Sequence, residues 1–133
     1  MRNDPALAPA HIFIQPNEER FKDTYRRWQG IPSIEVTSHG RIFVNFYSGQ
    51  DAEVGGNIMI LCISDDQGKT FRSCAAVVEH PDPSCRIYDP NLWIDPLGLT
   101  IFKSGVCPAK RLWAKRTLRG IFCWPSLPFP YIP

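Results

Sequence analysis

The sequence predicts an all-β fold preceded by a short N-terminal helix. Three observations predict it. Between residues 31 and 80, apolar residues form short runs, several alternating with polar ones, which is the period of a pleated strand. Gly-, Asp- and Ser-bearing segments of the kind that close antiparallel hairpins separate these runs. The order strand, glycine turn, strand then begins again at residue 86.

Taken in chain order, HIFI (11–14) is a short apolar run ended by Pro16. NEERFKDTYRRW (17–28) sets Phe21, Tyr25 and Trp28 at helical spacing, with Asn17 at the capping position and acids in the first turn. It predicts a short helix, ended by Gly30 and Pro32. The period then changes. IPSIEVT (31–37) predicts a first strand of the sheet and SHG (38–40) a turn. RIFVNFYSG (41–49) predicts a second strand, with Ile42, Val44 and Phe46 alternating. A polar glycine-rich loop, GQDAEVGG (49–56), leads to NIMILCIS (57–64), apolar nearly throughout, as a strand buried on both faces is. SDDQGKTF (64–71) turns tightly into CAAVVEH (74–80). Four strands in about 50 residues, joined by short turns, predict an antiparallel meander.

Beyond PDPS (81–84), RIYDPNLWID (86–95) predicts a fifth strand, PLG (96–98) a turn, and LTIFKS (99–104) a sixth strand. A repeat of about 50 residues carrying four strands is the pattern of a propeller blade. The chain thus divides into an N-terminal strand and helix segment (1–30), an incomplete propeller (31–104) and an irregular basic, proline-rich tail (105–133). Within the propeller part, 31–80 is the first blade and 86–104 the start of a second.

With 133 residues and a net charge of +2, the chain has one domain's worth of sequence and no character of a dedicated nucleic-acid binder. It has no run of about 18 apolar residues, hence no predicted membrane span. MRNDPALAPAHIF lacks the apolar core of a secretory signal. Five cysteines, an odd number without CxxC spacing, argue against a full disulfide framework. A reducing, cytoplasmic setting is the expectation, with Cys62 a small buried hydrophobe. His11, His39 and His80 show no metal-site spacing, and no cofactor is expected.

Charge is unevenly distributed: residues 1–95 carry 9 Lys/Arg and 13 Asp/Glu, whereas 96–133 carry 6 Lys/Arg and no acid. Two explanations of the tail stand side by side. The native frame is lost near residues 99–105, or a basic, apolar tail meets a membrane surface or a partner. A closed propeller needs at least four blades. The expectation is therefore a fragment, a truncated product, or an oligomer completing the ring, with self-association through open sheet edges.

The pattern Ser-x-Asp-x-Gly-x-Thr-Phe at Ser64, Asp66, Gly68, Thr70 and Phe71 resembles the Asp-box, or BNR repeat, of sialidase-like β-propellers. Asp66 is suited to accept backbone N–H bonds within the turn, Gly68 to take positive φ and Phe71 to pack beneath it. These are the requirements of a structural clamp. WQGIPSIEVTSHGRIFVNFYSG (28–49) is similar to the first blade of that family and YDPNLWIDPLG (88–98) to the start of the next. The likeness spans residues 28–98. It implies an exo-acting glycoside hydrolase working on a terminal sugar of a glycan, with this chain a truncated, inactive portion. The family's Tyr/Glu nucleophile pair and remaining arginines come from its later half. A non-catalytic carbohydrate-binding or interaction module on the same blades is the alternative. Where the family carries the arginine of its RIP motif, this chain has Gly30, so a uronic or neutral sugar fits as well as sialic acid.

In a four-strand meander the two–three loop and the connector to the next blade share one face, where small-molecule sites occur. Asp51 and Glu53 lie on that loop, where the similar sialidases place their acid/base aspartate. Glycoside hydrolysis needs one carboxyl as acid and a second group as nucleophile or base. The competing assignment is two solvated loop acids. Arg27, Trp28, Arg86 and Asp89 are the candidate saccharide-binding residues. Trp28 either stacks on a sugar ring or packs the helix, and Asp89 either binds hydroxyls or caps a turn before Pro90.

Overall fold

The computed structural model describes residues 8–94, 100–108 and 120–124. Within them the chain is mostly β-strand: β1 (His11–Ile14), β2 (Trp28–Val36), β3 (Ile42–Gly49), β4 (Ile58–Ser64), β5 (Arg72–Glu79), β6 (Cys85–Ile94), β7 (Thr100–Pro108) and β8 (Gly120–Trp124). The first five form one antiparallel sheet in the order β1-β5-β4-β3-β2, and the last three a second sheet in the order β6-β7-β8. Strands β2 to β5 pair in sequential order, as the alternation and short turns predict. β1 joins the outer edge, His11 opposite Glu79 and Ile14 opposite Ala76.

β4 is the centre of the sheet and is covered on both faces. Met59, Leu61 and Ile63 point into one cluster with Phe43, Ala75, Ala76, Val78 and, from the second sheet, Ile87 and Leu92. Ile58 and Ile60 point the other way, with Val77, onto Phe21, Phe13 and Phe46. Burying each such side chain stabilises the fold by about 1.5–3 kcal/mol. An unbroken apolar run is therefore what this strand requires. In β3, the row Ile42, Val44 and Phe46 faces one side as expected, yet the more deeply buried row is Phe43, Asn45 and Tyr47.

The predicted helix over 17–28 does not form. Glu19–Phe21 and Asp23–Tyr25 are two separate 3-10 turns, joined by Lys22 in extended conformation, and Trp28 already belongs to β2. The three aromatic residues go to three surroundings. Phe21 is buried on the sheet, Tyr25 is exposed, and Trp28 lies in the strand. A helix would have to put them on one face. So short a helix is marginal in water, and packing decides against it. The segment instead straps across the sheet from its β1 edge to its β2 edge, held by Arg20–Glu79 at one side and by Arg27 N donating to Gln50 O at 3.0 Å at the other.

β7 continues to Pro108 and pairs with β8, so part of the segment expected to be an irregular tail is strand. The PLG turn (96–98) and the rest of the tail, 109–119 and 125–133, lie outside the described residues.

The opening strands of the two sheets share one irregularity. β2 carries one extra residue between Gly30 and Ser33, and β6 one between Tyr88 and Asn91. In each, the residue before a proline has positive φ: Ile31 at 44° and Asp89 at 45°. An isoleucine held there is an outlier that only surrounding structure sustains. Just beyond the two bulges the strands touch: Leu92 N donates to Ser33 Oγ at 3.0 Å, and Ser33 Oγ lies 3.4 Å from Asn91 Oδ1.

Loop placement follows from the meander. The β2–β3 and β4–β5 turns share one end, where Asp65 accepts from Arg41 Nε at 2.5 Å and Arg72 Nη2 at 3.1 Å. The β3–β4 loop and the β5–β6 connector share the other, where Gly56 N donates to Cys85 O at 2.7 Å and Ile87 N to Asn57 O at 3.0 Å.

Leu92 is 4% exposed and seats the second sheet on the first. Leu92→Ala is expected to cost about 2–5 kcal/mol in chemical denaturation. It should also speed amide exchange in β6 before β4, and equal acceleration in both strands would contradict this packing.

Candidate functional site

The β4–β5 corner is built by the side chains of Ser64, Asp66 and Thr70. Ser64 is 1% exposed, and its hydroxyl donates to Asp66 Oδ1 at 2.8 Å while accepting the N–H of Gly68 at 2.8 Å. Asp66 Oδ1 also accepts Thr70 N at 2.9 Å, and Asp66 Oδ2 accepts Thr70 Oγ1 at 2.6 Å. Gln67 and Gly68 take φ of 61° and 84° to bring the turn round. A Cβ at Gly68 would sit 3.5 Å from Ile42 Cδ1 and 4.0 Å from Phe71 Cε2, so Phe71 lies along the turn, although 45% of it stays exposed. The Thr70 hydroxyl, the Thr70 N–H and the Ser64 hydroxyl lower the Asp66 pKa from 3.8 to about 2. Asp66 is a fixed anion, and Ser64 and Thr70 occupy both its oxygens.

The opposite end gathers the remaining candidates. Tyr47, 1% exposed, donates its hydroxyl to Glu53 Oε1, and Arg86 Nη1 stands 3.0 Å from Glu53 Oε2 as an ion pair. The Tyr47 bond, the largest effect, holds the Glu53 carboxyl below its usual range; burial opposes it, and Arg86 adds to the lowering. Burial first, and the Glu53 carboxylate next, keep the Tyr47 phenol protonated far above its ordinary value, with Asp89 adding to the effect. Trp28 rests on Tyr47 with ring centroids 4.8 Å apart and planes at 55°. Arg86 lies over the Tyr88 ring at 5.2 Å.

Gly30 sits beneath this aromatic pair. A Cβ there would meet Trp28 Cη2 at 2.7 Å and Tyr47 Cε1 at 3.2 Å. The Trp28 ring occupies the space through which any side chain at position 30 would leave the backbone. The rim loop is held equally closely. Asn57, 1% exposed, donates Nδ2 to Ala52 O at 3.1 Å, and its Oδ1 would lie 2.1 Å from a Cβ on Gly49. A Cβ on Gly55 would lie 2.6 Å from Pro83 O, a backbone atom with little room to yield.

Of the sequence candidates, Glu53, Arg86 and Trp28 come together around Tyr47, with Asp89 close enough to act on its charge. Asp51 does not join them. It faces Arg27 at 3.7 Å, and both side chains are more than two-thirds exposed. Such a pair contributes about 0–1 kcal/mol. Sequence reasoning missed Tyr47 and Asn57. Tyr47 follows Phe43 and Asn45 at period two, and that alternation was the signal for it. His39 is exposed beside Ser38 in its turn, and no group of three metal-binding side chains occurs among the described residues. Comparison with protein-family models, curated proteins and solved structures yields no match to this chain.

Two outcomes are expected at the β4–β5 corner. Ser64→Ala leaves Gly68 N without its acceptor and should cost about 1–3 kcal/mol in denaturant unfolding. Because the folded-state pKa of Asp66 is depressed, its contribution is complete above about pH 4 and is lost as pH falls toward about 2. Carboxyl chemical shifts should place its titration there, and a midpoint near 4 would contradict the clamp.

Proposed function

We propose that this chain is a sialidase-like, Asp-box propeller unit that recognises a terminal sugar of a glycan and binds it without hydrolysing it. One observation carries the reading. Hydrogen bonds among Ser64, Asp66, Gly68 and Thr70 close the β4–β5 corner of a four-strand meander as an Asp-box would, and the next sheet opens with the same X-Pro bulge, 58 positions further on (31 to 89). Repeated units of this kind are how propellers are built. Exo-hydrolysis of a terminal sugar is the parent activity this reading implies.

Binding without turnover is favoured by the state of the two loop acids. A general acid must hold a proton near working pH. Glu53 is kept ionised by Tyr47 and Arg86, and Asp51 lies apart from it beside Arg27. Trp28, Glu53, Arg86 and Asp89 remain as a saccharide-binding rim, an aromatic face flanked by hydrogen-bonding groups. Trp28 covers position 30, where the family's carboxylate-gripping arginine belongs. That favours a neutral sugar over sialic acid.

Fluorogenic glycosides, including sialosides and uronides, together with titration calorimetry on neutral saccharides, test this. Saturable binding of a neutral sugar without turnover is expected. Glu53→Gln should weaken it about tenfold, or about 1.4 kcal/mol. Turnover abolished by Asp51→Asn or Glu53→Gln would establish the hydrolase instead, and no response to any saccharide would end the glycan reading.

A further inference from the structure

On the face of the sheet away from the second sheet, Cys62 of β4 and Cys74 of β5 pack, partly buried, against one cluster of Phe21, Ile58, Ile60 and Val77. They sit where the pairing of the two strands slips. Leu61 pairs with Ala76 and Ile63 with Arg72, so Cys62 lies opposite the bulge 73–75, with Cys74 at its middle and φ of 53°. Both are free thiols. The Cys74 thiol points at Phe21 O, 3.3 Å away, and the Cys74 backbone hydrogen-bonds toward the Cys62 sulfur. Arg26 completes the group: its Nε and Nη1 are buried with no hydrogen-bond partner, and its charge acts on both sulfurs.

We propose that Cys62, Cys74 and Arg26 form an oxidation site in which a peroxide closes the two thiols into a disulfide, stapling the Asp-box hairpin. One thiolate, held by the Arg26 guanidinium, attacks a peroxide oxygen. The O–O bond breaks, leaving a sulfenic acid and one water in the case of hydrogen peroxide. The second thiolate attacks the sulfenic sulfur, the S–S bond forms and the oxygen leaves as a second water. The sulfurs lose two electrons in all, the peroxide gains them, and the two thiol protons end in the two waters. Opposed residues on one face of a sheet have Cβ atoms about 4.5–5.5 Å apart, slightly wider than the roughly 3.5–4.5 Å a disulfide needs. The bulge supplies the slack to reach it. The ring so closed runs from residue 62 to 74 and contains the whole Asp-box. Burial raises both thiols above their ordinary range while Arg26 opposes it, so the site answers to peroxide more slowly than an exposed low-pKa thiol.

The test treats the full chain with hydrogen peroxide, blocks remaining thiols, and digests with trypsin and a glutamate-specific protease. Lys69 and Arg72 separate Cys62 from Cys74, and Glu79 separates Cys74 from Cys85. A cross-linked pair of peptides, two hydrogens lighter than their sum, is expected between Cys62 and Cys74. The thermal midpoint should rise by several degrees and return on reduction. Arg26→Gln should slow cross-linking by about tenfold, and Cys85→Ala should leave it unchanged. Cross-links running instead to Cys85, Cys107 or Cys123, or oxidation of Cys62 and Cys74 only to sulfinic acid, would overturn the proposal. So would a rate indifferent to Arg26.

Discussion

The carboxylate of Asp66 fixes the corner on which the rest of the sheet depends. It accepts from Ser64 and twice from Thr70, while the Ser64 hydroxyl takes the N–H of Gly68. Four residues that would each favour solvent are thereby ordered into a turn of one geometry. The turn decides where β5 begins against β4 and therefore which residues must be absorbed before regular pairing resumes at Ala76. With that register set, Met59, Leu61 and Ile63 face the second sheet and Ile58 and Ile60 face the strap. A slip of one residue would exchange these two sets.

The far end of the sheet is organised by a different economy of charge. Glu53 meets a hydroxyl through one oxygen and a guanidinium through the other, and the buried Tyr47 hydroxyl has that carboxylate as its hydrogen-bond acceptor. This arrangement orders the rim loop against β6 and commits Glu53 to the ionised form. Asp65 plays a similar part at the β4–β5 end, between Arg41 and Arg72. Glu79 and Asp51 also face arginines, Arg20 and Arg27, so four of the six acids between residues 31 and 80 stand in ion pairs.

Much of the fold was legible in the sequence because its causes are local. Alternation in 41–49, the unbroken apolar run 57–64 and the Gly68 turn each state their structure within a few residues, and β3, β4 and the corner between β4 and β5 are found there. The helix over 17–28 failed because the partners of Phe21 are Ile58, Ile60 and Val77, far along the chain. The site was half legible. Glu53 and Arg86 were recognised by chemistry and loop position, but Tyr47 looked like one more strand aromatic until the fold brought Glu53 and Trp28 to it. Asp51 has the same chemistry as Glu53 at a spacing of two, and only the three-dimensional path of the loop brings one to Tyr47 and Arg86 and leaves the other beside Arg27.

Site-resolved amide hydrogen exchange across 64–72 tests the account most directly. If Ser64 and Asp66 hold the corner as described, the amides of Gly68 and Thr70 exchange orders of magnitude more slowly than an unstructured loop allows, with protection comparable to that of the flanking strands. Exchange of both amides at the rate of a free peptide, while β4 and β5 stay protected, would show that the strands hold their register without the clamp and would contradict its central place.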